Sequence, residues 1–123
     1  MIENRPLSPH LSIHKRVLTA IFSIFHRFTG FALSIGSIFI VIWIAILALG
    51  PNYFFIYKTI SSFLICKIIL FIWTIGIFFH LFNGVRYLFW SFGIGMKLKT
   101  VRNSSYFVIL LTFLSTIIVW VAV

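Results

Sequence analysis

The sequence predicts an all-α integral membrane protein with three transmembrane helices. Of its 123 residues, 62% are hydrophobic and only 9% are charged, whereas a soluble domain carries about a quarter charged residues. Three segments contain the roughly 20 mainly apolar residues that a helix needs to cross a bilayer. Strands are excluded here, because an open sheet edge is not satisfied in lipid and three strands cannot close a barrel.

The three helices are expected to form a single membrane domain. Gly50 and Pro51 mark a sharp end to the first helix. The first 20 residues carry charges and two prolines, so they do not match a cleavable signal peptide. The predicted boundaries are residues 1–20 for an inner-side N-terminal segment, 21–49 for helix I, 60–92 for helix II with its inner-side extension, and 104–123 for helix III.

The distribution of Lys and Arg predicts the orientation, because short inner loops are enriched in these residues. The N-terminal side holds four of them, the loop at residues 50–59 holds one, and the loop at residues 83–105 holds four. We therefore expect the N-terminus and the second loop inside, and the C-terminus outside. The residues counted are Arg5, Lys15, Arg16 and Arg27, then Lys58, then Arg86, Lys97, Lys99 and Arg102.

The charge balance excludes several classes of function. The sequence has ten Lys or Arg residues and one acidic residue, Glu3, which gives a formal net charge of +9. A single carboxylate excludes a paired-carboxylate hydrolase and a magnesium or calcium site. The lone Cys66 excludes an internal disulfide, a zinc cluster and a covalent haem attachment motif. The positive charge is explained by topology and contact with lipid headgroups, so no nucleic-acid partner is expected.

His80 is the strongest candidate for a functional residue at membrane depth. Gly76, His80 and Gly84 are four residues apart and share one helical face. Small residues on either side of a histidine allow a bulky object to approach the backbone. That object is either another helix or a flat macrocycle bound through the imidazole. A histidine that only forms a hydrogen bond to a neighbouring helix is a third alternative.

A second group of polar residues lies at the start of the first span. Ser23 and Arg27 lie on one helical face, next to His26. With the predicted topology, these residues gather with His80 and Arg86 near the inner surface. Arginines with a histidine and a hydroxyl suit an anionic or carbonyl-bearing ligand, such as haem propionates or a quinone head group. The alternative is that both arginines anchor the chain to lipid phosphates.

Two motifs within these segments resemble the cytochrome b membrane-anchor subunit (C subunit) of succinate dehydrogenase. The family pattern has an Arg-Pro start that leads to Ser-x-x-His-Arg-x-Thr/Ser-Gly, and a later His-x-x-x-Gly-x-Arg signature. The matching residues are Arg5-Pro6, Ser23, His26-Arg27, Thr29-Gly30, and His80, Gly84 and Arg86.

The resemblance implies roles for five of the matching residues. His80 would be an axial ligand of haem b, shared with a second membrane subunit that supplies the other ligand. Ser23 and Arg27 would line the ubiquinone site, and His26 with Arg27 would lie near the haem propionates. Arg86 would contact a propionate or the quinone site. The family usually has His where this chain has Tyr87, and Asp where it has Ser91.

The resemblance also implies the function and the partners. The chain would anchor succinate:ubiquinone oxidoreductase (respiratory complex II), and electrons would pass from a flavoprotein through an iron–sulfur subunit to quinone. The chain itself would hold no catalytic flavin site. Its membrane would be the bacterial inner membrane, or the mitochondrial inner membrane if it is organelle-encoded. A fumarate reductase anchor and a small non-redox transport or assembly protein are the alternatives.

Overall fold

The computed structural model describes residues 18–122 and contains four α-helices in this range. Three of them are long and apolar enough to cross a membrane, which confirms an all-helical protein with three such helices. The predicted N-terminal segment lies almost entirely outside the described residues. The helices are α1 (Leu18–Leu49), α2 (Pro51–Ser61), α3 (Leu64–Ser91) and α4 (Leu98–Ala122).

Helix α2 occupies residues for which a loop is predicted. Gly50 interrupts the helix with a φ of 109°, a backbone conformation that residues with a Cβ rarely adopt. Pro51 then takes the first helical position, where its missing N–H group costs nothing and its fixed φ suits a helix. The Gly-Pro pair therefore ends α1 and also starts α2. With 11 residues, α2 is roughly 16 Å long, too short to cross a bilayer.

The turn between α3 and α4 is a Schellman motif. Gly93 adopts a positive φ of 74°. Its N–H donates to the carbonyl of Trp90, and the next N–H, of Ile94, donates to the carbonyl of Phe89 at 3.0 Å. These bonds satisfy carbonyl groups that the end of α3 would otherwise leave free. The chain then turns back, so that α4 packs along α3.

The interior between the helices is small and largely polar. Among the described residues, only Phe22 and Val108 are buried hydrophobic residues. The hydroxyl groups of Thr112 and Thr116 donate to backbone carbonyls one turn earlier in α4, each at 2.8 Å. Because these side chains are short and satisfied within their own helix, α3 and α4 can approach closely. The large apolar side chains mostly face outward, as expected for contact with lipid or other membrane helices.

Helix α3 packs on α1 through Gly36 and Trp73. A Cβ added to Gly36 would overlap the indole ring, lying 2.7 Å from Cζ2 of Trp73. The Trp73 ring therefore occupies the space that any other residue at position 36 would need for its side chain. This contact sets the distance between α1 and α3 at these residues.

We expect Gly36→Ala to destabilise the packing of α1 on α3 by about 1–3 kcal/mol, the usual cost of overpacking. At a helix position with free space around it, replacing Gly with Ala would stabilise the protein by about 1 kcal/mol. A loss of stability in Gly36→Ala would therefore indicate the clash with Trp73. Thermal unfolding of the purified assembly measures it. Ser37→Ala, at the exposed neighbouring position, is the control. Equal stability of the two variants would contradict the contact.

Candidate functional site

Two histidines from different helices meet between α1 and α3. The imidazole rings of His26 and His80 stack with their centroids 3.9 Å apart and their planes within 5° of parallel. Both side chains are half-buried. The helices thus bring together two residues that are 54 positions apart in the sequence, as predicted from their placement near one end of the spans.

The hydrogen bonds at His80 determine the position of its proton. Nδ1 of His80 lies 3.2 Å from the backbone carbonyl oxygen of His26 and 3.2 Å from Oγ1 of Thr29. A carbonyl oxygen can only accept, so Nδ1 must carry the proton and donate. The Thr29 hydroxyl donates to carbonyls of its own helix, which leaves its oxygen free to accept. Within residues 18–122, Nε2 of His80 forms no hydrogen bond, and in this tautomer it holds a free lone pair.

Glycines make room for both imidazoles. A Cβ on Gly30 of α1 would lie 3.0 Å from Cε1 of His80, and a Cβ on Gly84 of α3 would lie 3.6 Å from Cε1 of His26. Each histidine therefore packs against a glycine of the opposite helix. Gly76, one turn from His80, has no atom within 4 Å of the position of a Cβ, so the space beside it is open.

The side chain of Arg86 is held by contacts with other residues of this chain. It is 5% exposed, and its guanidinium lies between the rings of Phe22 and Trp90, at 5.2 and 4.3 Å from their centroids. Nη1 donates to Oδ1 of Asn83 at 3.1 Å, and Nη2 donates to the carbonyl of Val101 at 3.4 Å. Nε is buried without a partner among the described residues. Arg86 thereby joins α1, α3 and α4 at one end of the bundle.

The other two predicted site residues lie on α1. Ser23 is half-buried and Arg27 is exposed. Neither side chain forms a hydrogen bond within residues 18–122, so the structure does not join them to the histidine pair directly. Lys67 of α3 is exposed.

A cavity of about 290 Å³ opens between α3 and α4 beside Arg86. Apolar side chains, including Phe82, Trp90 and Phe107, form most of its wall. Neither Ser23 nor Arg27 of the predicted quinone site lines this cavity, whereas Arg86, for which a propionate or quinone-site contact is predicted, does.

Three residues of this region have no role in the sequence-based prediction. Thr29 accepts from His80, Asn83 is fully buried and holds Arg86, and Tyr87 lies edge-on to His26. Spacing could have indicated two of them, since Thr29 is three residues after His26 and Tyr87 is seven after His80, on the same helical faces. Asn83 gives no comparable signal.

Comparison with known proteins defines the class of protein. The family model for the succinate dehydrogenase/fumarate reductase transmembrane subunit matches residues 1–119. The chain belongs to this family of membrane subunits, which confirms the resemblance in its two motifs.

The relatives carry a more specific name. The chain is 37% identical to the succinate dehydrogenase cytochrome b556 subunit of Rickettsia bellii (strain RML369-C), over 95% of this chain and 91% of that protein. It is 36% identical to the cytochrome b560 subunit of Reclinomonas americana, over 96% and 85% of the two chains. Identity to the b560 subunit of Chondrus crispus is also 36%, over 97% and 94%.

We expect Arg86→Met to destabilise the helix bundle by about 2–3 kcal/mol. The change leaves the Asn83 and Val101 acceptors without a charged donor, and such bonds contribute about 1.5–3 kcal/mol. Arg102→Met, at an exposed position of α4, should change stability by less than about 0.5 kcal/mol. Thermal unfolding of the purified assembly compares the two. Equal midpoints would show that Arg86 does not hold the helices together.

Proposed function

We propose that this chain is the membrane-anchor C subunit of succinate:ubiquinone oxidoreductase, where it helps bind haem b and ubiquinone. Family membership supports the anchor role, since the relatives are succinate dehydrogenase cytochrome b subunits. The observation that carries the haem assignment is the bonding of His80, whose Nδ1 is held by two acceptors while Nε2 has no partner within residues 18–122.

The donor set around His80 fits a haem ligand. A histidine that binds a metal typically donates its other N–H to a backbone carbonyl or similar acceptor, which fixes the ring and raises its basicity. Here the carbonyl of His26 and the hydroxyl of Thr29 provide this support. When bound, the haem would supply a one-electron redox centre. The chain's own contribution is to orient Nε2 and to fix its tautomer.

The stacked histidines favour a second membrane subunit as the source of the other axial ligand. The rings of His26 and His80 are 3.9 Å apart and parallel, so no macrocycle fits between them. His80 is therefore the better candidate for this chain's ligand, and His26 is proposed to contact a propionate together with Arg27.

The proposed ubiquinone site uses Ser23 and Arg27, one turn apart on α1. The Ser23 hydroxyl can donate a hydrogen bond to a quinone oxygen, and the exposed guanidinium of Arg27 can stabilise negative charge that develops there. Neither group forms a hydrogen bond within residues 18–122. For Arg86, a propionate or quinone-site contact is proposed through Nε, which has no partner within residues 18–122, while one N–H of Nη1 and one of Nη2 already donate within the chain.

The remaining steps of the reaction belong to partners. The sequence has one cysteine, too few for an iron–sulfur cluster, and it has no nucleotide-binding fingerprint. Succinate oxidation and electron delivery are therefore assigned to a flavoprotein and an iron–sulfur subunit; Arg5-Pro6, which the resemblance assigns to contact with the latter, lies outside the described residues. The reported relatives carry the succinate dehydrogenase name, which favours this direction over fumarate reduction.

We expect His80→Ala to remove the b-type haem while leaving the helices inserted. A reduced-minus-oxidised visible spectrum of the purified complex measures the haem band, and Lys67→Ala, at an exposed position of the same helix, is the control. An unchanged band in the His80 variant would show that the ligand assignment is wrong.

Ser23→Ala and Arg27→Ala should lower kcat/KM for ubiquinone by about tenfold or more, equivalent to about 1.4 kcal/mol of transition-state stabilisation. Haem content should not change. Succinate oxidation with a water-soluble electron acceptor should also persist, because that reaction bypasses the quinone site. Ser34→Ala, at an exposed position of α1, is the control. A loss of both activities in the Ser23 and Arg27 variants would contradict a quinone-specific role.

The proposed orientation places the α3–α4 turn inside and α2 outside, in the bacterial or mitochondrial inner membrane. In a Cys66→Ser background, the cysteine of a Lys99→Cys variant should be protected from an impermeant thiol reagent added outside. The cysteine of an Asn52→Cys variant should react with it. The reverse pattern would invert the proposed topology.

A further inference from the structure

The cavity between α3 and α4 lies on the side of α3 that faces away from the histidine pair. Phe89 lines the cavity and is nine residues after His80, which places it about 180° around the helix axis. Val85, also in the wall, is five residues after His80 and about 140° around the axis. The cavity is therefore a second candidate site, separate from the histidine pair.

The wall of the cavity is largely hydrocarbon and reaches the outer surface of the bundle. Val85, Phe89 and Phe107 line it and are 42%, 53% and 59% exposed. An apolar space left empty loses the dispersion contacts of the side chains around it. In a membrane, the molecule at hand to restore these contacts is a hydrocarbon chain of a lipid.

One end of the cavity lies at the turn between α3 and α4, where a hydrogen-bond donor is available. Gly95 lines this end, and a Cβ added to it would lie 4.0 Å from Nε1 of Trp90. The indole N–H of Trp90 forms no hydrogen bond within residues 18–122. Tryptophan at a membrane–water interface keeps its ring in an apolar region and donates its N–H to a polar group. An ester or phosphate oxygen of a lipid fits that acceptor.

Two lysines flank the same end of the cavity. Lys97 directly precedes α4, and Lys99 lies in its first turn, next to Thr100 of the cavity wall. Both lysine side chains are exposed, and Arg86 adds a third positive charge in the wall. Residues 18–122 contain no Asp or Glu, so no carboxylate in this range neutralises these charges. Positive charge at the end of a membrane helix attracts anionic headgroups.

We propose that the cavity between α3 and α4 binds one anionic phospholipid. An acyl chain lies against Val85, Phe89 and Phe107, and the phosphate lies at Lys97 and Lys99. The cavity provides apolar contacts for the chain, and the turn provides positive charge for the headgroup. This lipid stabilises the packing of α4 on α3, and its binding is independent of the haem and quinone roles proposed above.

Lipid binding by the purified assembly, delipidated in detergent, tests this site. Native mass spectrometry measures the affinity for phosphatidylglycerol and, separately, for phosphatidylcholine of the same chain length. We expect the assembly to bind one phosphatidylglycerol more tightly than phosphatidylcholine. Lys97→Gln and Lys99→Gln should each weaken phosphatidylglycerol binding about fivefold, the usual contribution of one lysine near an anionic lipid.

Arg102→Gln is the control for charge. Arg102 is exposed and two residues after Thr100, which places it about 200° around α4 and away from the cavity. This variant should bind phosphatidylglycerol as the wild type does. All three charged positions are exposed, so these variants should fold and the comparison does not depend on a change in the interior.

Val85→Phe tests the position of the acyl chain, because the larger ring fills part of the cavity. Binding of phosphatidylglycerol should weaken several-fold. Val119→Phe is the matched control, since Val119 is 40% exposed and lies near the other end of α4, outside the cavity wall. It should leave binding unchanged.

Four results would each overturn the proposal. Equal affinities for the two lipids, or an equal loss in Arg102→Gln and the lysine variants, would show that no headgroup site exists at Lys97 and Lys99. Unchanged binding in Val85→Phe would place the acyl chain outside the cavity. Displacement of the lipid by soluble glycerol phosphate would reduce the site to one for a simple anion.

Discussion

The close approach of α1 and α3 at the stacked histidines is the constraint on which the rest of the structure depends. The rings of His26 and His80 are in van der Waals contact, and the space for the His80 ring depends on glycine at position 30, because a Cβ there would lie only 3.0 Å from that ring. Once the helices are this close, the backbone carbonyl of His26 reaches Nδ1 of His80. A backbone group of one helix thus fixes the tautomer of a side chain on the other.

Electrostatics presents a second constraint, because the buried Arg86 has no acidic partner within residues 18–122. The guanidinium of Arg86 is stabilised by two neutral acceptors and two aromatic faces. Cation–π contacts are strongest where water is excluded, so this arrangement suits a membrane protein with one carboxylate. The same shortage of acidic residues applies to the haem and quinone chemistry proposed here. In that chemistry this chain supplies hydrogen-bond donors and positive charge, and its partners must supply any acidic groups.

The sequence predicted the long helices well, because an apolar run of 20 residues has few alternatives in a bilayer. It also predicted that His26 and His80 lie near the same end of their spans, but the direct stacking of their rings is known only from the structure. It failed at residues 50–59, where one Gly-Pro pair signals both a helix end and a helix start. The support from Thr29, the burial of Asn83 and the contact of Trp73 with Gly36 could not be predicted, because they depend on the rotation of each helix about its axis.

The interior of this bundle is largely polar and its exterior is apolar, and this arrangement determines which substitutions the sequence can accept. Hydrocarbon tails provide little preference among Phe, Ile and Leu on the outward faces, so exchanges among them cost little in packing. The glycines, threonines and asparagine of the interior have no such freedom, because each fills a space of fixed size. A genome whose base composition drifts can therefore rewrite most of this chain while a small set of small or polar interior positions preserves its architecture.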